Sequence, residues 1–214
     1  MLFIKYKMIR KLILCVSIVT TFASEKLFEN KFLFDNEGWQ ITGNKRVEPA
    51  VHQSYNINNE ISHYIMFKDN LINIDYKTQN DNSLWYFESP EIIINNIQKI
   101  GTIESEKNKY RYPTSLTFTM TNFVGDFNNL NDNLNLVKIK NGINCVIFEA
   151  DNYDGKTKLF NISFNSKLWK WSNTMTSVTD EEMKKMFIGP FTIEILGDWT
   201  RDYEVIGLDN VIII

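Results

Sequence analysis

The stretch "LNLVKIKNGINCVIFEA", residues 134–150, decides the fold. Apolar and polar residues alternate through 134–140 and again through 143–150, the period of a strand with one buried face. Asn141-Gly142 separates the two runs. Asn-Gly readily takes positive φ, so 140–142 predicts a short hairpin turn. The same alternation runs through "LTFTMTNF" (116–123), "TKLFNISF" (157–164) and "FTIEIL" (191–196). It is weaker in "NKFLFDNEGWQITG" (30–43) and "HYIMFKD" (63–69), and "EVIGLDNVIII" (204–214) closes the set. "DNYDGK" (151–156) predicts a longer turn and "GTIESEKNKYRYP" (101–113) an exposed loop. Short strands joined by such turns predict an all-β chain, an antiparallel sandwich or barrel.

One helix interrupts it. In "TSVTDEEMKKMF" (176–187), Thr179 and Glu182 have capping-box spacing, each side chain reaching a backbone N–H at the helix start. Asp180 and Glu181 suit the positive end of the helix dipole, and Lys184 and Lys185 the negative end. Gly189-Pro190 stops it, which places one short helix near 180–187.

The chain of 214 residues is 43% apolar and 14% aromatic, enough to fill the core of one domain. A net charge of −3 and a pI near 5.5 argue against nucleic acid, whose phosphates need a basic face. Abundant Asn, Ile and Lys fit an AT-rich coding bias. Lys5, Lys7, Arg10 and Lys11 precede an apolar stretch from Leu12 to Phe22, and "TFA" offers small residues for cleavage after Ala23. This predicts a signal peptide over 1–23 and a secreted domain over 24–214. The apolar run is short for a membrane span, so no anchor is expected in the mature chain. Cys15 would leave with the leader. That leaves Cys145 alone, expected as a small buried residue in its strand. Asn161-Ile162-Ser163 is a glycosylation sequon whose use depends on Asn161 facing solvent.

The order of these pieces resembles the laminin IV type A (laminin B) domain. The matching stretches are "LWYFESPEIII" (84–94), "YRYPTSLTFTM" (110–120), "LNLVKIKNGINCVIF" (134–148), "KWSNTMTSVTDEEMKKMFIGPFTIEIL" (170–196) and "GLDNVIII" (207–214). "FDNEGWQITGN" (34–44) also resembles the first strand of secreted jelly-roll carbohydrate-binding modules. The resemblance implies a galactose-binding-like jelly-roll β-sandwich with an extracellular adhesive or recognition role. The family carries no defined ligand site to transfer. Laminins embed this domain among disulfide-rich repeats, which are missing from this sequence.

No catalytic constellation emerges from residue types and spacing. His52 and His63 flank no nucleophile motif, and one Cys with two His makes a poor zinc site. Glu88, Glu149, Asp151, Glu194, Asp198, Asp202 and Glu204 are the carboxylates a sandwich glycosidase would draw on. Glu149 with Asp151, or Glu194 with Glu204, are the pairs that neighbouring strands would join. Calcium, a hard cation, suits oxygen ligands, and the resemblance to jelly-roll binding modules implies a structural calcium where first and last strands meet. The candidates are Asp35, Asn36 and Glu37 with Asp209 and Asn210. Asp209 stands out, because a carboxylate inside an apolar strand is costly unless partnered. For recognition, Trp gives flat apolar area with one donor. Trp85, Tyr86, Trp169, Trp171, Trp199 and Tyr203 are candidates. Trp199 and Tyr203, with Arg201 and Asp202, form the expected recognition tip in the 197–204 loop. The function expected is a secreted, non-catalytic module binding carbohydrate or a matrix or cell-surface protein. The alternative is a small polysaccharide-active enzyme.

Overall fold

The computed structural model describes residues 25–43, 46–57, 60–68, 84–94, 112–128, 130, 134–149, 153–201 and 203–214. The expected leader, Cys15, Asp151, Asp202 and the loop 101–111 lie outside them. The strands are β1 (Phe28–Asn30), β2 (Gln40–Gly43), β3 (Arg46–Pro49), β4 (Val51–Ile57), β5 (Glu60–Lys68), β6 (Trp85–Glu88) and β7 (Ser115–Val124). They continue as β8 (Asn135–Asn141), β9 (Asn144–Glu149), β10 (Lys158–Ser163), β11 (Lys170–Trp171), β12 (Thr192–Leu196) and β13 (Val205–Ile213), with helix α1 (Asp180–Lys185) between β11 and β12.

Two sheets form. The first runs β10-β7-β13-β5-β4, with β1 also on β13; the second runs β11-β9-β8-β12-β6-β2-β3. Every pairing between these strands is antiparallel. The chain alternates sheets: β5 lies beside β13 in one and β6 beside β12 in the other, while β7 returns to the first and β8 to the second. That wrapping is the jelly roll. The expected fold class is therefore observed.

Period-two patterning selects the inner faces. Leu116, Phe118 and Met120 of β7 point inward with Val137 and Ile139 of β8, all buried, while Thr117, Thr119 and Thr121 point outward. Buried residues of both sheets join one continuous cluster. At the β8–β9 hairpin the two central residues are Gly142 and Ile143, flanked by the pair Asn141–Asn144. Gly142 takes φ +57 and Ile143 does not share that sign, so the turn sits one residue later than expected. Glycine at the first central position suits such a turn.

Residues 31–38 form turns instead of the expected strand. Asp35 Oδ1 accepts the Glu37 N–H at 2.7 Å, and Asn36 Oδ1 accepts the Gly38 N–H at 3.2 Å. Such side chains compete with the sheet ladder by bonding the backbone two residues on. Helix α1 has the expected capping box: Thr179 accepts the Glu182 N–H, and Glu182 accepts the Thr179 N–H.

Candidate functional site

The 197–204 loop does not form a recognition tip around Trp199. Trp199 is 0% exposed. The Glu204 carboxylate draws the loop inward by accepting the N–H groups of Trp199 (3.0 and 3.2 Å) and Thr200 (3.2 Å). The indole then packs 4.7 Å from Tyr153 and donates to Met120 Sδ at 3.0 Å. Asp198 is buried, Arg201 is half-buried, and Tyr203 is exposed. Trp169 is likewise a core residue, its Nε1 donating to the Ser163 carbonyl at 2.9 Å. Trp171 packs half-buried against the core, while Trp85 and Tyr86 are buried. An indole with no exposed face cannot stack on an external ligand, so Trp169 and Trp199 are corrected to packing residues.

The carboxylates pair differently from expectation. Exposed Glu149 meets half-buried Lys170 at 2.6 Å. Glu194 lies on the second sheet and Glu204 leads into the first, so those two are not cross-strand neighbours. Glu194 instead faces Glu88 across β12–β6 and Lys138 across β12–β8. Only 4% exposed, it bonds Lys140 and sits 3.8 Å from Lys138, whose ammonium lies 3.9 Å above the Tyr86 ring. Burial, then the neighbouring Glu194 charge, raises the Glu88 pKa. Burial pulls Lys140 down, but the hydrogen bond and charge of Glu194 outweigh it and hold Lys140 up. Two acids and two lysines balance, and the arrangement holds the sheet face together as an ion network. Burial also raises the Cys145 thiol, against reactivity.

The expected calcium ligands are each engaged by the chain itself. Asp35 turns to the Glu37 N–H, and Glu37 accepts from Asn30, whose Oδ1 accepts from Trp39 Nε1 at 2.9 Å. Strands β1 and β13 do pair, Asn30 opposite Val211. Asp209, however, borders a β-bulge: Asp209 and Ile212 face Thr119 and Thr117, so Asn210 and Val211 stand against Phe118 alone. Asn210 takes φ +52 there and donates to Asp209 from its N–H (2.6 Å) and its Nδ2 (2.7 Å). Among the described residues, no three His, Cys, Asp or Glu side chains form a group that could hold a metal ion.

The outward face of the first sheet carries the arrangement best suited to recognition. The Tyr64 ring of β5 and the Phe123 ring of β7 lie 4.9 Å apart, tilted by 30°. They meet over Gly207 of β13: a Cβ there would fall 2.8 Å from Phe123 and 3.0 Å from Tyr64. Phe123 is 36% exposed. Thr121 lies opposite Gly207 and Thr119 opposite Asp209, so a row of hydroxyls and a carboxyl borders the rings. Burial raises Asp209 to about 6, against the opposing effect of the Asn210 N–H. An aromatic platform edged by donors and acceptors can stack a sugar ring and bond its hydroxyls. Neither ring was among the sequence candidates. The signal was Gly207, a glycine inside an apolar strand, which marks a close approach.

A second feature lies at the end of the sandwich beside α1. A cavity of about 160 Å³ is lined by Tyr112, Pro113, Phe164, Met183 and Phe187, with Asp180 and Lys184 at its polar side. Asp180 accepts from the Ser166 hydroxyl, and the Lys184 ammonium lies 5.6 Å from the Tyr112 ring centre. Ligand pockets for drug-sized molecules run from roughly 300 Å³ upward, so this space suits a single small group.

No protein-family model matches the chain, and no curated protein matches it. Among solved structures, the L4b domain of human laminin alpha-2 matches with a TM-score of 0.55 at 10% identity, over 87% of this chain and 97% of that one. The family 11 carbohydrate-binding module of the cellulosomal cellulase Lic26A-Cel5E of Clostridium thermocellum matches with a TM-score of 0.46 at 9% identity, over 89% and 96%. The laminin match shows a shared laminin-type jelly-roll fold.

Proposed function

We propose that this chain is an extracellular, non-catalytic recognition module that binds carbohydrate through the outward face of its first sheet. The observation that carries the reading is the Tyr64–Phe123 ring pair over Gly207, bordered by Thr119, Thr121 and Asp209. Phe123 is partly exposed on this face, which leaves its ring available to a sugar. The leader-like residues 1–23 support an extracellular place of action. The ion-paired state of Glu194 weighs against the glycosidase alternative, because a catalytic carboxylate must be free to meet substrate.

Affinity electrophoresis and a glycan array with the purified mature chain test the proposal. Binding to at least one glycan is expected. Phe123→Ala should weaken it about tenfold, the scale of losing one aromatic contact of ~1.4 kcal/mol. Binding to a matrix protein alone, with no glycan retained, would replace carbohydrate with protein as the partner. Reducing-sugar release that disappears in Glu194→Gln would overturn the non-catalytic reading.

A further inference from the structure

The sequon at Asn161 lies on β10, the open edge of the first sheet beyond β7. Its residues alternate cleanly: Asn161 and Ser163 are exposed, while Ile162 between them is buried at 3%. Asn161 lies opposite Thr117, whose side chain also faces outward. Leu159, two residues earlier on the same face, is 66% exposed. An edge strand carrying an exposed apolar side chain is a template for unwanted pairing with another sheet. An attached sugar there would hydrate and crowd that edge, and the folded chain has room for it.

We propose that Asn161 is an N-glycosylation site and that its glycan shields the β10 edge. In the reaction, Asn161 Nδ2 attacks C1 of an oligosaccharide carried on a polyisoprenyl diphosphate. The N–C1 bond forms and one amide proton passes to base. The C1–O bond to the diphosphate breaks, and the diphosphate leaves with the bonding pair. No oxidant or reductant takes part. The glycan projects from the β10 edge of the face that carries the Tyr64–Phe123 platform, whose Phe123 lies on the adjacent strand β7, farther along it than Thr117, the partner of Asn161. The assignment stands on the sequon and its exposure, independently of what the platform binds.

The full chain expressed in a eukaryotic secretory host tests this, with a heterologous leader added in a parallel arm to ensure entry into the pathway. Intact mass should show a discrete increment removed by peptide-N-glycosidase. Asn161→Gln and Ser163→Ala should both abolish it, whereas Ser163→Thr should retain it. Because transfer to an extended segment does not need the finished fold, the mass readout survives a variant that folds poorly. Unmodified Asn161 in chain recovered from the secretory pathway overturns the site. Size-exclusion chromatography supplies the second readout: the enzymatically deglycosylated chain should self-associate more than the glycosylated one. Equal behaviour overturns the shielding role while leaving the mass result to judge the site.

Discussion

Asp209 was the anomaly of the closing strand, and its neighbour Asn210 supplies it with hydrogen-bond donors. A polar pair inside an apolar strand is where a bulge is cheapest, since Asn tolerates positive φ better than most residues. Asn210 takes that conformation and donates twice to Asp209. The burial that remains raises the Asp209 pKa to about 6 from 3.8. An acid with a raised folded-state pKa binds its proton more tightly when folded. Its contribution to stability is therefore greatest below about pH 4 and is lost as pH rises through about 6. Thermal melts across that window should show wild type losing ground against Asp209→Asn as pH rises. A difference between the two that is flat with pH would refute the linkage. Trp199 teaches the opposite lesson. Its charged neighbours suggested exposure, yet one of the acids nearby, Glu204, is the acceptor that turns the loop inward. Local composition carries no information about which acid will face the core.

At the scale of elements, the alternating strands were legible because period two maps directly onto a half-buried sheet. β7, β8, β9, β10, β12 and β13 all appear within a residue or two of expectation. β1, β3, β4, β6 and β11 were not read as strands: β1 and β11 have three and two residues, β6 is buried at three successive positions, and β3 and β4 lack clear alternation. The helix was legible because capping is a local, three-residue relation. Thr179→Ala removes an acceptor at the helix start and should cost about 1 kcal/mol of stability. Denaturant unfolding of that variant checks it, and a loss near zero would mean that packing of Met183 and Phe187 alone holds the helix.

At the scale of the molecule, the wrapping of β5 with β13 and β6 with β12 goes with the first and last described strands sharing one sheet, β1 against β13. That is where a structural calcium was expected from the acids at each end. Those acids are satisfied by Asn30, the Glu37 N–H and Asn210. Chelation with EDTA should accordingly leave the melting temperature unchanged. A fall of several degrees, restored by calcium, would show that a cation recruits carbonyl oxygens alongside these side chains.

By itself the sequence determined the strand periods, the capped helix, the sequon and the ordered set of segments that resembles a laminin-type domain. Each of these depends on residues close together in the chain. Tertiary structure alone decided that Trp169 and Trp199 fill the core, that Glu194 answers to Lys138 and Lys140, and that Tyr64 and Phe123 meet over Gly207. Those contacts join residues far apart in the chain, and which side chains share a face depends on sheet order and register that no local pattern encodes.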